Sequence, residues 1–127
     1  MIVGIGVDII RVERLRRALR KTAGFETRVF APEEIDYCNA KAFPERHYAA
    51  RFAAKEAVMK ALGTGWSGGI RFQDIVVTMN NQGQPFIEIL SPTAERIPGL
   101  HELSITISLS HERDHAIAFA VVYRSKT

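Results

Sequence analysis

Cysteine is almost absent from this sequence. The one at position 38 cannot close an intrachain disulfide, and without a CxxC pair it cannot seed a zinc cluster. A reducing, cytosolic setting follows. Long apolar runs are missing too: Met1–Val7 and Ala116–Tyr123 fall far short of the ~20 residues that cross a bilayer, and Gly4 and Gly6 interrupt the first. Neither a membrane span nor a secretory signal is expected. Charge of one sign is in short supply, since 17 Lys+Arg against 14 Asp+Glu leave a net +3, too little to demand a polyanion. There is no aromatic-rich strand motif of the RNA-binding kind and no GxxxxGK[ST]. These absences argue against nucleic-acid binding and a P-loop, and the adjacent Ser110 and His111, which a strand points to opposite faces, do not make a nucleophilic serine site. No internal repeat or low-complexity linker breaks the chain.

What is present is the composition of an ordinary globular protein, 127 residues with 46% apolar and 24% charged, which implies one domain over residues 1–127. Ile2–Val7 reads as a buried strand whose two glycines let another backbone or a ligand come close, with Asp8 at its end. Val12, Leu15 and Leu19 then recur at helical spacing within RVERLRRALRK. Arg14, Arg17 and Lys21 fall together opposite that stripe, as a solubilising face or a dock for an acidic partner. Pro32 opens a second helix from Ala31, a poor N-cap, so its start should be frayed or capped by something distant. A third helix from about Glu45 to Leu62 is apolar nearly all round and ends at Gly63-Thr64-Gly65, which makes it the central helix of the core. Ile75–Met79, Phe86–Leu90, Leu103–Leu109 and Ala116–Tyr123 read as strands, the first two a hairpin, with a short helix from Ser91-Pro92 to about Pro98-Gly99 between the pairs. The expected class is α+β, an N-terminal strand and helices packed on a mainly antiparallel sheet.

Few residues stand out chemically. Glu56 lies between Phe52 and Met59 on a face that should be buried, where a carboxylate must be protonated, salt-bridged or bound to a metal. Lys60, four residues on, is the plain partner. Asp8 is either a cap for the following helix or a second acid converging on Glu56, and two carboxylates completed by water and phosphate oxygens are how magnesium is usually held. The glycine-rich stretch from Gly63 to Gly69 offers backbone N–H groups to a phosphate, though a helix C-terminus is the wrong end of the dipole. Ser108, Ser110 and His111 end a strand with hydrogen-bonding groups, whereas His47, His101 and His115 read as surface residues.

Together these segments resemble the holo-[acyl-carrier-protein] synthases, small members of the 4'-phosphopantetheinyl transferase family. Gly4-Ile5-Gly6-Val7-Asp8-Ile9 with Arg14 is similar to the family's first motif, and Arg51-Phe52-Ala53-Ala54-Lys55-Glu56-Ala57-Val58-Met59-Lys60-Ala61 to its second. Gly63-Thr64-Gly65, Gly83-Gln84-Pro85 and Ser108-Leu109-Ser110-His111 follow in order. The resemblance implies the 4'-phosphopantetheinyl transferase fold and a cytoplasmic enzyme of fatty acid biosynthesis. It would move 4'-phosphopantetheine from coenzyme A to a serine of an acidic apo-acyl carrier protein, with Mg2+ held by Asp8 and Glu56. Glu56 would serve as base and Lys60 would meet the α-phosphate. Arg46, Arg51, Gly63, Thr64, Gly65, Ser110 and His111 would contact coenzyme A, and Arg14, Arg17 and Lys21 would receive the carrier. Small members are homotrimers with the active site between subunits, which the resemblance extends to this chain.

Overall fold

The computed structural model describes residues 1–63 and 69–125. Strand β1 (Ile2–Arg11) runs into helix α1 (Val12–Lys21), followed by α2 (Phe25–Val29), α3 (Pro32–Asn39) and the long α4 (Pro44–Leu62). Then come β2 (Ile75–Met79), β3 (Pro85–Ile89), β4 (Leu103–His111) and β5 (His115–Arg124), with 3-10 turns at Phe72–Asp74, Thr93–Arg96 and Leu100–Glu102. Two antiparallel sheets result, a three-stranded one in the order β1-β5-β4 and the β2-β3 hairpin. The α+β expectation holds, with the N-terminal strand paired along the C-terminal one.

Small residues let α4 lie unusually close to the larger sheet. Ala116, Ala118, Ala120 and Val122 alternate inward along β5 beneath Ala53, Ala54, Ala57 and Ala61 of the helix, all buried. On β1 the inward positions Gly4 and Gly6 meet helix backbone: an added Cβ would lie 1.8 Å from the Ala61 carbonyl oxygen and 1.9 Å from that of Ala57. No side chain fits there. The same two-residue alternation delivers Asp8 to the helix-facing side, next in line after the glycines.

Asp8 is not at a strand end. β1 continues to Arg11, with Asp8 opposite Ala118 and Arg11 opposite His115, and the Val12 N–H carries the pairing on to the Asp114 carbonyl at 2.9 Å. The capping alternative for Asp8 therefore falls, since the N-cap position of α1 is Arg11. Helix α2 is an addition that five residues are too few to announce by periodicity; it is held by Phe25, whose ring stacks 6.3 Å from that of Phe52. Ser91-Pro92 opens only the 3-10 turn Thr93–Arg96, and Ser91 supplies no side-chain cap.

The start of α3 is capped locally. Glu34 reaches back to accept the Ala31 N–H at 2.9 Å, half of a capping box. Its second oxygen accepts the Val77 N–H at 3.0 Å, tying α3 to β2. Glu34 is 1% exposed, and its charge is answered by Lys55 of α4, which is 0% exposed with Nζ 2.6 Å from Glu34 Oε1. Lys55 also donates to the carbonyls of Phe72 at 2.9 Å and Ile75 at 2.5 Å, so the ammonium is fully partnered. Four elements of the fold meet on this ion pair.

The sheet face turned away from α4 is apolar. Ile5, Val7, Ile9, Ile117 and Phe119 are between 40% and 64% exposed, a contiguous patch on adjacent strands.

Candidate active site

Asp8, Glu56 and Lys60 come together where β1 crosses the last turns of α4. Lys60 Nζ lies 3.2 Å from Asp8 Oδ1 and donates to the Val7 carbonyl at 3.0 Å. The lysine thus pairs across to the strand rather than with Glu56 four residues earlier, so the expected intrahelical partnership is not the one formed. Glu56 is half-buried instead of enclosed. Among the described residues it has neither hydrogen bond nor salt bridge. Its carboxyl is held above the ordinary range, first by burial and then by the charge of Asp8, against weaker opposition from Lys60 and Arg14. Two acids within each other's field and one ammonium form a charge cluster whose carboxylate oxygens could hold a divalent cation.

Arg14, Arg17 and Lys21 are exposed on one side of α1, whose inner side buries Val12 and Leu15. Arg16, by contrast, is tied to Glu13 and, at 3.2 Å, to Glu45. Arg14 is the member of the ridge near enough to act on Glu56, so the basic face begins at the rim of the acid cluster.

A second cluster forms at the middle of α4. Arg51 is 2% exposed, its guanidinium 4.1 Å from the Tyr37 ring centre, and its Nε has no hydrogen-bond partner. A buried guanidinium without an anion is costly, which marks the place as a binding site for one. It lines a cavity of about 240 Å³ with Tyr37, His47, Ala50, Met79, Leu109 and His111. Arg46 stands nearby over the Phe43 ring at 4.2 Å. His47 is half-buried here, unlike the exposed His101 and His115, because His111 packs against it edge-on with ring centres 4.8 Å apart. Ser110, next to His111 in β4, points to the opposite face of the sheet and does not join this cavity.

Gly63 ends α4 in the left-handed conformation, φ 73°, with its N–H shared between the Met59 and Lys60 carbonyls. Among the described residues nothing lies within 4 Å of where its Cβ would be. Thr64 and Gly65 lie outside the described residues.

The 4'-phosphopantetheinyl transferase superfamily profile matches residues 4–120. The chain belongs to that superfamily. This transferase is 40% identical to the holo-[acyl-carrier-protein] synthase of Clostridium tetani over 96% of either chain. It is 46% identical to that of Desulforudis audaxviator, covering 95% of this chain and 92% of the relative. Among solved structures, the Neisseria meningitidis holo-[acyl-carrier-protein] synthase superposes with a TM-score of 0.86 at 32% identity, covering 98% of this transferase and all of the other chain. The Bacillus anthracis synthase, in complex with CoA (3',5'-ADP), superposes at 0.80 and 32% identity over 98% and 99% of the two chains.

Sequence reasoning missed Lys55, Glu34, Tyr37 and the burial of His47. A Glu three residues after the Ala31 cap was a legible signal for Glu34. Nothing in the sequence signalled that Lys55 faces inward, because α4 is apolar on every side and marks no solvent face.

Proposed function

We propose that this chain transfers 4'-phosphopantetheine from coenzyme A to a serine hydroxyl of an acidic apo-acyl carrier protein, serving fatty acid biosynthesis. The serine oxygen bonds to the β-phosphorus and the bridging pyrophosphate oxygen leaves with adenosine 3',5'-bisphosphate. The observation that carries the reading is the meeting of Asp8, Glu56 and Lys60 from two distant segments.

Asp8 and Glu56 suit a small hard divalent cation: they are oxygen donors, mutually repelling, and too few to displace all its water. Among the described residues no third acid, His or Cys joins them, which fits Mg2+ better than zinc. Asp8 and Glu56 would hold Mg2+, which would supply charge neutralisation and electrophilic activation of the diphosphate. Lys60 leaves Asp8 for the α-phosphate, where its compact, mobile ammonium stabilises the departing charge. Glu56, whose raised affinity for a proton suits a base, takes the serine proton directly or through a water. Arg46, Arg51 and His111 hold the nucleotide phosphates, and Gly63, Thr64 and Gly65 complete the coenzyme A contacts, whereas Ser110, on the opposite face of the sheet, falls outside this cleft. Arg14, Arg17 and Lys21 steer the acidic carrier to the rim of the cluster.

The whole chain acts as a single domain, because α4 packs on both its first and last strands. Lys60 with Asp8, at the last turn of α4, and Arg51 with His111, at mid-helix, sit on opposite sides of it, since the nine residues from Arg51 to Lys60 span about 14 Å and a half-turn in excess of two full turns. One chain therefore cannot offer both clusters to one pyrophosphate and its nucleotide. A neighbouring copy supplies the second, and the apolar face of Ile5, Val7, Ile9, Ile117 and Phe119 is the surface that buries between copies, in the homotrimer that the resemblance implies.

The test is to incubate the chain with apo carrier protein, coenzyme A and magnesium and to weigh the carrier by mass spectrometry. A phosphopantetheine adduct is expected, and none when EDTA replaces magnesium; an unmodified carrier in both removes the reading.

A further inference from the structure

His47 has no part in the scheme above, yet it is built into the nucleotide cleft. It stands on α4 with its ring edge-on to His111, 4.8 Å between centres and 67° between planes, and 6.0 Å from the Tyr37 ring. The charges facing the two imidazoles are all of one sign: Lys41 from the turn after α3, Arg46 and Arg51 from α4, and whichever histidine is protonated. From α3 comes only the Tyr37 ring, and β2 adds Met79. Among the described residues no carboxylate is a leading influence on either ring; Glu33 lines an adjoining cavity with Tyr37 and Arg51.

This field disfavours a proton on either ring. Burial, then the charges of His111, Arg51, Lys41 and Arg46, push His47 down to about 4, and burial with Arg46 and Arg51 lowers His111. An anion beside Arg51 would reverse that field. A phosphomonoester dianion offsets the charges of Lys41, Arg46 and Arg51 that hold a proton off the rings, so the ring beside it gains proton affinity. At 4.8 Å between ring centres they repel one another when both are charged, so the pair accepts a single proton.

We propose that His47 is a further ligand-binding residue of this cleft, sharing with His111 one proton that the protein takes up when the 3'-phosphate of the nucleotide enters beside Arg51. This rests on the coenzyme A reading above. The sign is diagnostic: a cationic site without a titrating residue strips any residual proton from the phosphate, so binding would release protons rather than absorb them.

The experiment is calorimetric titration of the full chain with coenzyme A near neutral pH, in buffers of different ionisation enthalpy. Dephospho-coenzyme A, which keeps the pyrophosphate and lacks the 3'-phosphate, is the matched probe. Coenzyme A is expected to absorb more protons than dephospho-coenzyme A, by up to about one, and His47→Phe, which keeps an aromatic ring against Tyr37, is expected to lose most of that difference. Because a packing variant can fail for other reasons, the wild-type chain carrying 13C-labelled histidine is also titrated by NMR with and without coenzyme A. The titration midpoint of His47 should rise by about one pH unit or more on binding, a tenfold gain in proton affinity. Equal uptake from the two probes, full uptake in a folded His47→Phe, or an unmoved His47 midpoint overturns the proposal while leaving the enzyme assignment intact. Coenzyme A that fails to bind at any pH overturns both.

Discussion

Lys60 Nζ, on the last turn of α4, bonds to Asp8 Oδ1 of β1 at 3.2 Å, so the cation that could have neutralised Glu56 is engaged elsewhere. Glu56 is left half-buried and uncompensated. Glu56→Gln should therefore raise the melting temperature of the metal-free chain at neutral pH, because a neutral amide avoids both the desolvation and the repulsion from Asp8. The same change should lower turnover at least about a hundredfold and abolish thermal stabilisation by Mg2+. Calorimetry with and without Mg2+ and the carrier mass assay read both; undiminished turnover would remove Glu56 from the mechanism. Asp8→Asn should lose turnover and the Mg2+ effect likewise.

Turnover should also fall on the acid side. Since the Glu56 carboxyl is held above its ordinary value, its base form is lost at a higher pH than a solvated glutamate would lose it. Rate profiles measured at saturating and at limiting Mg2+ should show the acid limb moving down as the cation favours the charged form. An acid limb that Mg2+ does not move would argue that Glu56 titrates apart from the metal.

Gly6→Ala should be far more damaging than Gly63→Ala. The first puts a methyl group 1.9 Å from a helix carbonyl that cannot retreat without moving α4 off the sheet. The second only strains a left-handed backbone, a cost of about 1 kcal/mol. Overpacking at Gly6 should cost about 3 kcal/mol or more, and chemical denaturation compares the two.

Breaking the Glu34–Lys55 pair from either side should cost about 3–5 kcal/mol, since each single change strands a buried charge. Lys55→Met combined with Glu34→Gln should cost less than the sum of the two. Gln keeps one oxygen for a backbone N–H, and neither residue is then charged. Denaturation of the singles and the double gives the coupling; strict additivity would deny that the two charges compensate one another.

Replacing Arg14, Arg17 and Lys21 by Ala should raise the KM for carrier about tenfold or more and leave that for coenzyme A nearly unchanged, with high salt reproducing the effect on the parent chain. Equal losses for both substrates would discard the ridge as a docking surface.

The metal-free, ligand-free chain should lose stability as pH falls from about 6.5 toward about 4. Across that interval an unfolded His47 binds a proton that the folded one, held down to about 4, refuses. Melting temperatures of the parent and His47→Phe should converge toward the acid end of this window, with the parent's advantage confined to higher pH.

Much of the fold was legible because periodicity is local. The alternation of Leu103, Ile105, Ile107 and Leu109 with Ser and Thr, the helical stripe of α1 and the hairpin about Asn80–Gly83 each follow from neighbours within a few residues. The same patterns did not show α2, which is too short to display a period, or the continuation of β1 through Asp8, which depends on its pairing with β5 more than a hundred residues away. The two glycines of β1 announced a close approach without saying to what.

By itself, then, the order of residues determined the element types, the α+β class, the two motifs that carry the family likeness, and the candidate acids and cations of the site. Only the tertiary structure decided that Lys60 serves Asp8, that Lys55 is the buried cation of α4, that His47 belongs to the nucleotide cleft, and that Ser110 faces away from it. These depend on which carboxylate or ring a folded neighbour brings within a few ångströms. Electrostatic and aromatic partnerships form through space, and nothing in the local pattern of a chain records the distance between segments far apart along it.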